Sequence, residues 1–199
     1  MSEPLPVDLV LASTSRYRRE LLVRLIPSFR VQAPLVDETA RANEAPLMLA
    51  TRLAEAKARA VAMDCNVAVV IGSDQVAELD GHALGKPGSI GAAQAQLAAC
   101  SGREVDFHTA LCVLDARAGT NAVHAAVDRT RVVFRTLDAA TIERYVEREQ
   151  PLDCAGSFKC EGLGIALFER IETVDPTALV GLPLIALARL LRECGMEVP

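Results

Sequence analysis

Strand-like and helix-like segments alternate through the first half of this 199-residue chain, a pattern that leads to an α/β fold with helices flanking a sheet. "VDLVLAS" reads as a buried strand, and "RYRRELLVRL" follows with Leu21, Leu22 and Leu25 on one helical face. "FRVQAPLVDE" is extended and broken by Pro34. From Ala45 to Met63, residues Leu49, Leu53, Ala56, Ala60 and Met63 recur at helical period, with Pro46 in the first turn. A strand is expected to end at Ile71, and Asp80-Gly81 marks a hairpin turn ahead of an Ala-rich helix from Ile90 to Cys100. The segments Val105 to Asp115 and Val123 to Phe134, joined through Ala118-Gly119-Thr120-Asn121, read as an antiparallel pair. Asp138 stands where an N-cap belongs, before a helix carrying Ile142 and Tyr145. The glycine-rich "CAGSFKCEGLG" leads to a short strand expected around Ala166 to Phe168, and "LPLIALARLLREC" closes as a helix. No repeat, low-complexity tract or linker divides the chain, so one domain over residues 1–199 is expected.

The formal net charge of −5 argues against non-specific binding to nucleic acid or a membrane surface, which needs a basic face. The longest apolar runs, such as Val67 to Ile71, fall far short of the roughly 20 residues that span a bilayer. Met1 to Leu11 carries acids and prolines rather than a basic flank and an apolar core, so no secretory signal is read there and a cytoplasmic protein is expected. The six cysteines include no C-x-x-C pair, and ordinary reduced thiols are expected rather than disulfides or structural zinc.

Ligands of open α/β sheets bind beyond the carboxyl ends of strands, where loops present polar groups without breaking the core. Two such places carry unusual chemistry. In "LASTSRYRRELL", Ser13, Thr14 and Ser15 precede a helix that opens with Arg16, Arg18 and Arg19. Positive charge there opposes the helix dipole, which points to an anion held between the arginines and the free backbone N–H groups; a solvated basic helix face is the plainer reading. In "VVIGSDQV", Asp74 comes just after an apolar run, past Gly72 and Ser73, so its carboxylate belongs at the rim of the core, suited to a general base, or else to a turn. Asp37-Glu38, Lys57 and Lys86 extend the set, with Lys57 one residue off the apolar stripe of its helix. Carboxylates without histidine or cysteine at matching spacing select Mg²⁺ or Mn²⁺ over zinc. The sum reads as a polyanion site. Neither a P-loop nor a G-x-G-x-x-G fingerprint is present. His82, His108 and His124 lie apart and read as structural; Cys154 and Cys160 read as packing residues.

The motifs "LASTSRYRRELL", "VDE", "IGSDQV", "LGKP", "SGR", "DCAGSFKCEGLG" and "VGLPL", in this order, resemble those of the Maf family of nucleoside triphosphate pyrophosphatases over Leu9 to Leu191, most closely the branch acting on 7-methyl-GTP. The resemblance implies a single Maf-like, inosine triphosphate pyrophosphatase-like α/β domain, with a curved mixed central sheet, flanking helices and a central substrate cleft. It implies metal-dependent cleavage between the α- and β-phosphates, in nucleotide-pool sanitation. Carried over by motif, Asp74 would be the proton acceptor and, with Glu38, a ligand of Mg²⁺ or Mn²⁺. Arg18, Lys57 and Lys86 would contact phosphates, with Ser13 completing the cradle. Arg16 stands where the family usually has proline. Tyr17, Gln75 and Glu161 depart from the residues associated with pyrimidine triphosphates and suit a methylated guanine, whose positive ring is drawn to an aromatic face and whose N–H groups donate to a carboxylate. A same-family enzyme for UTP, CTP or dTTP and a non-catalytic regulator of septum formation are the rival readings. The partner expected is a small-molecule nucleotide, with a homodimer left open by the resemblance.

Overall fold

Seven strands form one mixed sheet in the computed structural model, which describes residues 8–65, 68–117 and 121–198. At one end of the sheet β1 (Leu9–Ala12) runs parallel to both the edge strand β2 (Arg30–Gln32) and β3 (Val69–Leu79). The sheet then continues antiparallel through β5 (Glu104–Asp115), β6 (Ala122–Phe134) and β7 (Phe168–Glu172), while β4 (His82–Leu84) folds back on the far end of β3. The helices are α1 (Arg16–Val23), α2 (Pro46–Ala62), α3 (Ile90–Cys100), α4 (Ala139–Glu149) and α5 (Leu184–Glu193). The expected α/β architecture is the one observed. Asp80 and Gly81 form the β3–β4 turn with positive φ at both residues, and Asp138 caps α4 by accepting from the Thr141 N–H at 2.7 Å. The expected connection at Ala118 to Thr120 lies outside the described residues.

Side-chain alternation along β3 and β5 sorts the core. One face packs Val10, Val70, Ala110 and Cys112 against Leu49, Leu53, Ala54, Ala58 and Val61 of α2. The other face carries two clusters. Leu9, Leu11, Val69, Ile71, Leu111 and Val113 meet α1 and α5 through Leu21, Leu22, Leu187 and Leu190. Farther along the strands, Ala77, Leu79, Val105 and Phe107 meet Leu97 of α3, Ile142 and Val146 of α4, and Phe158. Between those two clusters the same face presents Ser73, Gln75 and Thr109.

Three details differ from the sequence expectation. The strand does not end at Ile71: β3 runs on to Leu79, and Asp74 lies in mid-strand. It is β1 that stops, at Ala12 opposite Gly72, while β5 continues to pair with β3 through Glu78, and the polar side chains find partners without breaking the ladder. On α2 the buried stripe is Leu49, Ala50, Leu53, Ala54, Lys57, Ala58 and Val61, so Lys57 lies in it, whereas Met63 is 84% exposed beyond the last helical turn. The final strand starts at Phe168 because Leu163–Leu167 is a 3₁₀ turn; Gly164 there passes so close to the Lys159 carbonyl that any Cβ would overlap it.

Candidate active site

Because β1 ends at Ala12, β3 has no strand beside its segment Ser73 to Val76 on that edge among the described residues, and a cleft of about 670 Å³ opens there. Its volume falls within the range of roughly 300–1,000 Å³ usual for small-molecule sites. The β1–α1 turn, the loop after β2, one face of α2, the β4 loop, the glycine-rich segment and the turn before α5 close around it. Ser13, Tyr17, Arg18, Glu38, Lys57, Asp74, Gln75, Lys86 and Glu161 all line this one cleft.

Its centre is an ionic triad. The Lys57 ammonium lies 2.6 Å from Asp74 Oδ1 and 2.7 Å from Glu38 Oε1. Lys57 is 5% exposed and Asp74 7%, so these charges sit where the attraction between them is poorly screened by water, while Glu38 reaches in from the exposed side. Burial pushes the Glu38 carboxyl up, but Lys57, Lys86 and Arg18 outweigh it and hold the group below the usual glutamate range. The triad depends on a close approach of α2 to β3. A Cβ at Gly72 would overlap the Ala54 carbonyl oxygen and lie 2.7 Å from the Ala58 nitrogen, so only glycine lets Lys57 reach Asp74.

The arginines of α1 divide. Arg16 and Arg19 are exposed, and Arg18 alone turns inward, its Nε donating to the Gly181 carbonyl at 2.9 Å. Burial works against the Arg18 charge, opposed by Asp74 and Glu38 nearby. Ser15 caps α1 by accepting from the Arg18 N–H at 3.3 Å, and buried Ser13 shapes the turn by accepting from the Ser15 N–H at 3.0 Å. Lys86 is exposed on the β4 side of the opening. At the rim, the Arg16 guanidinium lies 4.7 Å over the Tyr17 ring and donates to its hydroxyl at 2.9 Å. Partial burial pushes the Tyr17 phenol up, opposed by that hydrogen bond.

Gln75 is more occupied than its sequence context implies. Its side-chain Nε2 lies within 3.0 Å of the Ala178 and Leu179 carbonyls and of Thr109 Oγ1, which leaves only the amide oxygen for a ligand. Ser73 and Thr109, which sequence reasoning passed over, share in this contact to the 178–181 turn. No local signal identifies them, because their acceptors lie from 69 to 108 residues away. Two of the three histidines are paired outside the cleft: His108 with Glu78 at 2.7 Å and His124 with Glu193 at 3.1 Å. Burial pushes the thiols of Cys154 and Cys160, at the edge of the cleft, up to about 12, the opposite of a reactive cysteine.

The profile of the family described as "Maf-like protein" matches residues 8–194. A relative named 7-methyl-GTP pyrophosphatase from Xanthomonas oryzae pv. oryzae (strain MAFF 311018) is 60% identical over 191 residues, covering 96% of this chain and 98% of the relative. Another of that name, from Albidiferax ferrireducens, is 54% identical over 198 residues, covering 100% of this chain and 98% of its own. Among solved structures, a HAM1 protein from Coxiella burnetii superposes with a TM-score of 0.55 at 17% identity, over 94% of this chain and 100% of that one. The Staphylococcus aureus Ham1 protein gives 0.51 at 17%, over 94% and 99%. Those two likenesses concern the fold, whereas the profile and the relatives span nearly the whole sequence: the chain belongs to the Maf-like protein family.

Proposed function

We propose that this protein hydrolyses 7-methyl-GTP to 7-methyl-GMP and pyrophosphate. The observation that carries the reading is the buried Lys57–Asp74 pair, joined from the open side by Glu38, on the wall of a nucleotide-sized cleft, in a chain 60% identical to a protein named for that reaction. The donor set suits a hard divalent cation. Glu38 and Asp74 already converge on one positive group, and one or two carboxylates completed by phosphate oxygens and waters form the usual surroundings of Mg²⁺. Bound there, Mg²⁺ or Mn²⁺ would polarise the α-phosphate and offset its charge.

Asp74 orients a water against the α-phosphorus and accepts its proton. As the new P–O bond forms, the bond to the bridging oxygen breaks and pyrophosphate departs. Arg18, Lys57 and Lys86 supply the positive charge that stabilises it as it leaves. Ser13 holds the β1–α1 turn in place beside the phosphates. At the rim, the Tyr17 ring stacks on the methylated base and the Glu161 carboxylate accepts from guanine N–H groups. The Arg16 guanidinium, 4.7 Å over the Tyr17 ring, supports reading that ring as a face for a cation.

The test is an assay of pyrophosphate and orthophosphate release, with Mg²⁺ or Mn²⁺, from 7-methyl-GTP, GTP, UTP, CTP and dTTP. Pyrophosphate mainly from 7-methyl-GTP, lost in Asp74→Asn, is the expected result. A preference for one of the other nucleotides would retain the chemistry and overturn the base recognition, and an Asp74→Asn protein with wild-type turnover would remove Asp74 from its role.

A further inference from the structure

Ser73 and Gln75 flank Asp74 in mid-strand, and alternation sends their side chains to the opposite face of the sheet from the triad. They emerge in the gap between the two apolar clusters of that face, where aliphatic residues would join the clusters into one. The polar residues instead hold a turn. The fully buried Ser73 hydroxyl lies 2.9 Å from the Ala110 carbonyl and 3.0 Å from that of Gly181. The Thr109 hydroxyl, also fully buried, donates to the Ala178 carbonyl at 2.9 Å, and the Gln75 amide spans the Ala178 and Leu179 carbonyls. Three side chains from β3 and β5 are thus committed to one short stretch, the 3₁₀ turn Ala178–Val180 and the Gly181 that ends it.

Gly181 is the link to the cleft. Its φ of 118° is open to glycine and strained for other residues, and its carbonyl, already facing Ser73, also accepts from Arg18 Nε at 2.9 Å. This is the one hydrogen bond of the Arg18 side chain among the described residues. It fixes the guanidinium plane from behind and leaves Nη1 and Nη2 for phosphate oxygens. Buried hydroxyls cost stability unless bonded, and here their bonds go to the turn whose last residue, Gly181, holds the Arg18 guanidinium.

We propose that Ser73 is a positioning residue, which, with Thr109 and Gln75, sets the Gly181 carbonyl and through it the guanidinium of Arg18. The "S-D-Q" run then divides its work by parity: the middle residue faces the reacting phosphate, and its neighbours aim the arginine from the other side. The inference rests on the reading of Arg18 as a phosphate contact and deepens it.

A double-mutant cycle tests it, using Ser73→Ala, Arg18→Ala and the pair, with kcat and KM for 7-methyl-GTP and the thermal midpoint measured for each. Ser73→Ala is expected to lower kcat about tenfold, as slight misplacement of a catalytic group does, with KM changed less. In the Arg18→Ala background the same substitution should change kcat by less than about twofold, because the residue it positions is gone. Thr109→Val, which keeps shape and removes the hydroxyl, should follow the same pattern and supplies the cycle if Ser73→Ala does not fold. Losses that multiply in the pair would show that Ser73 acts independently of Arg18 and would overturn the inference alone, as would a lowered thermal midpoint with unchanged kcat. Wild-type turnover in Arg18→Ala would overturn it together with the assignment of Arg18.

Discussion

A lysine that is 5% exposed and touches two carboxylates is worth more broken than whole. Forming such a pair returns little net free energy, because both ions were desolvated to make it, but removing one partner strands the other. Lys57→Met should therefore destabilise the fold by about 3 kcal/mol, read from the shift in urea midpoint, and should depress turnover as well. Adding Asp74→Asn to that variant should recover part of the stability and none of the activity, since it removes the stranded charge together with the proposed proton acceptor. A stability unchanged by Lys57→Met would mean that water reaches the triad more freely than its burial indicates. At the rim, Tyr17→Arg combined with Glu161→Gln should move preference away from 7-methyl-GTP: the arginine repels a positively charged base, and the glutamine removes the carboxylate acceptor. Ratios of kcat/KM for 7-methyl-GTP over UTP report this directly. An unchanged ranking would place recognition on other residues.

The contact between α2 and β3 is the element-level device on which the triad depends. Gly72→Ala puts a methyl group against the Ala54 carbonyl and the Ala58 nitrogen, both backbone atoms that no rotamer change can move. The helix must shift outward, at a cost of about 3 kcal/mol from overpacking, and carry Lys57 away from Asp74. Urea denaturation and turnover measured together should fall together. These elements also show what a sequence discloses. The period of Leu49, Leu53 and Ala56 on α2, the Asp138 cap and the Asp80-Gly81 turn are local signals, and each led to the element found. The continuation of β3 was hidden because Ser73, Asp74 and Gln75 look like a strand end when their partners are out of view. Those partners come from Lys57, the carbonyl of Ala110 and a turn more than 100 residues on. The motif match brought the residues of the cleft onto one list, but the division of the run between two faces followed only from register. Likewise, counting Ala56 as the stripe put Lys57 outside it, because alanine marks a buried and a half-buried helix position equally well.

Across the whole molecule, a sheet that is parallel at one end and antiparallel at the other gathers its polar residues at the changeover, where β1 stops and two apolar clusters on one face remain apart. The ionised carboxylates distributed around this frame make stability depend on pH in a direction that can be worked out. Glu44 accepts from Arg52 Nε at 2.6 Å and Nη2 at 2.8 Å, and this pairing holds its carboxyl down at about 2 from an ordinary value of 4.5. A depressed native value means that the unfolded chain binds protons first, so this contribution is complete above about 4.5 and is lost as the pH falls toward 2. Asp106, lowered by Arg131 and Arg129 against its own burial, and Asp8, lowered by Arg30, act in the same direction. Asp128 acts oppositely. Burial and, to a lesser degree, the neighbouring Asp175 push it up, so its ionisation costs stability at neutral pH and protonation relieves that cost as the pH falls. Urea midpoints measured from pH 7 to pH 2 should stay level and then decline below roughly pH 4.5. Glu44→Gln should be less stable than wild type at pH 7 and converge on it toward pH 2, while Asp128→Asn should be more stable at pH 7 and lose that advantage in acid. Parallel curves for wild type and both variants would show that neither carboxylate titrates differently in the native and unfolded chains, and would assign the acid loss to the remaining carboxylates.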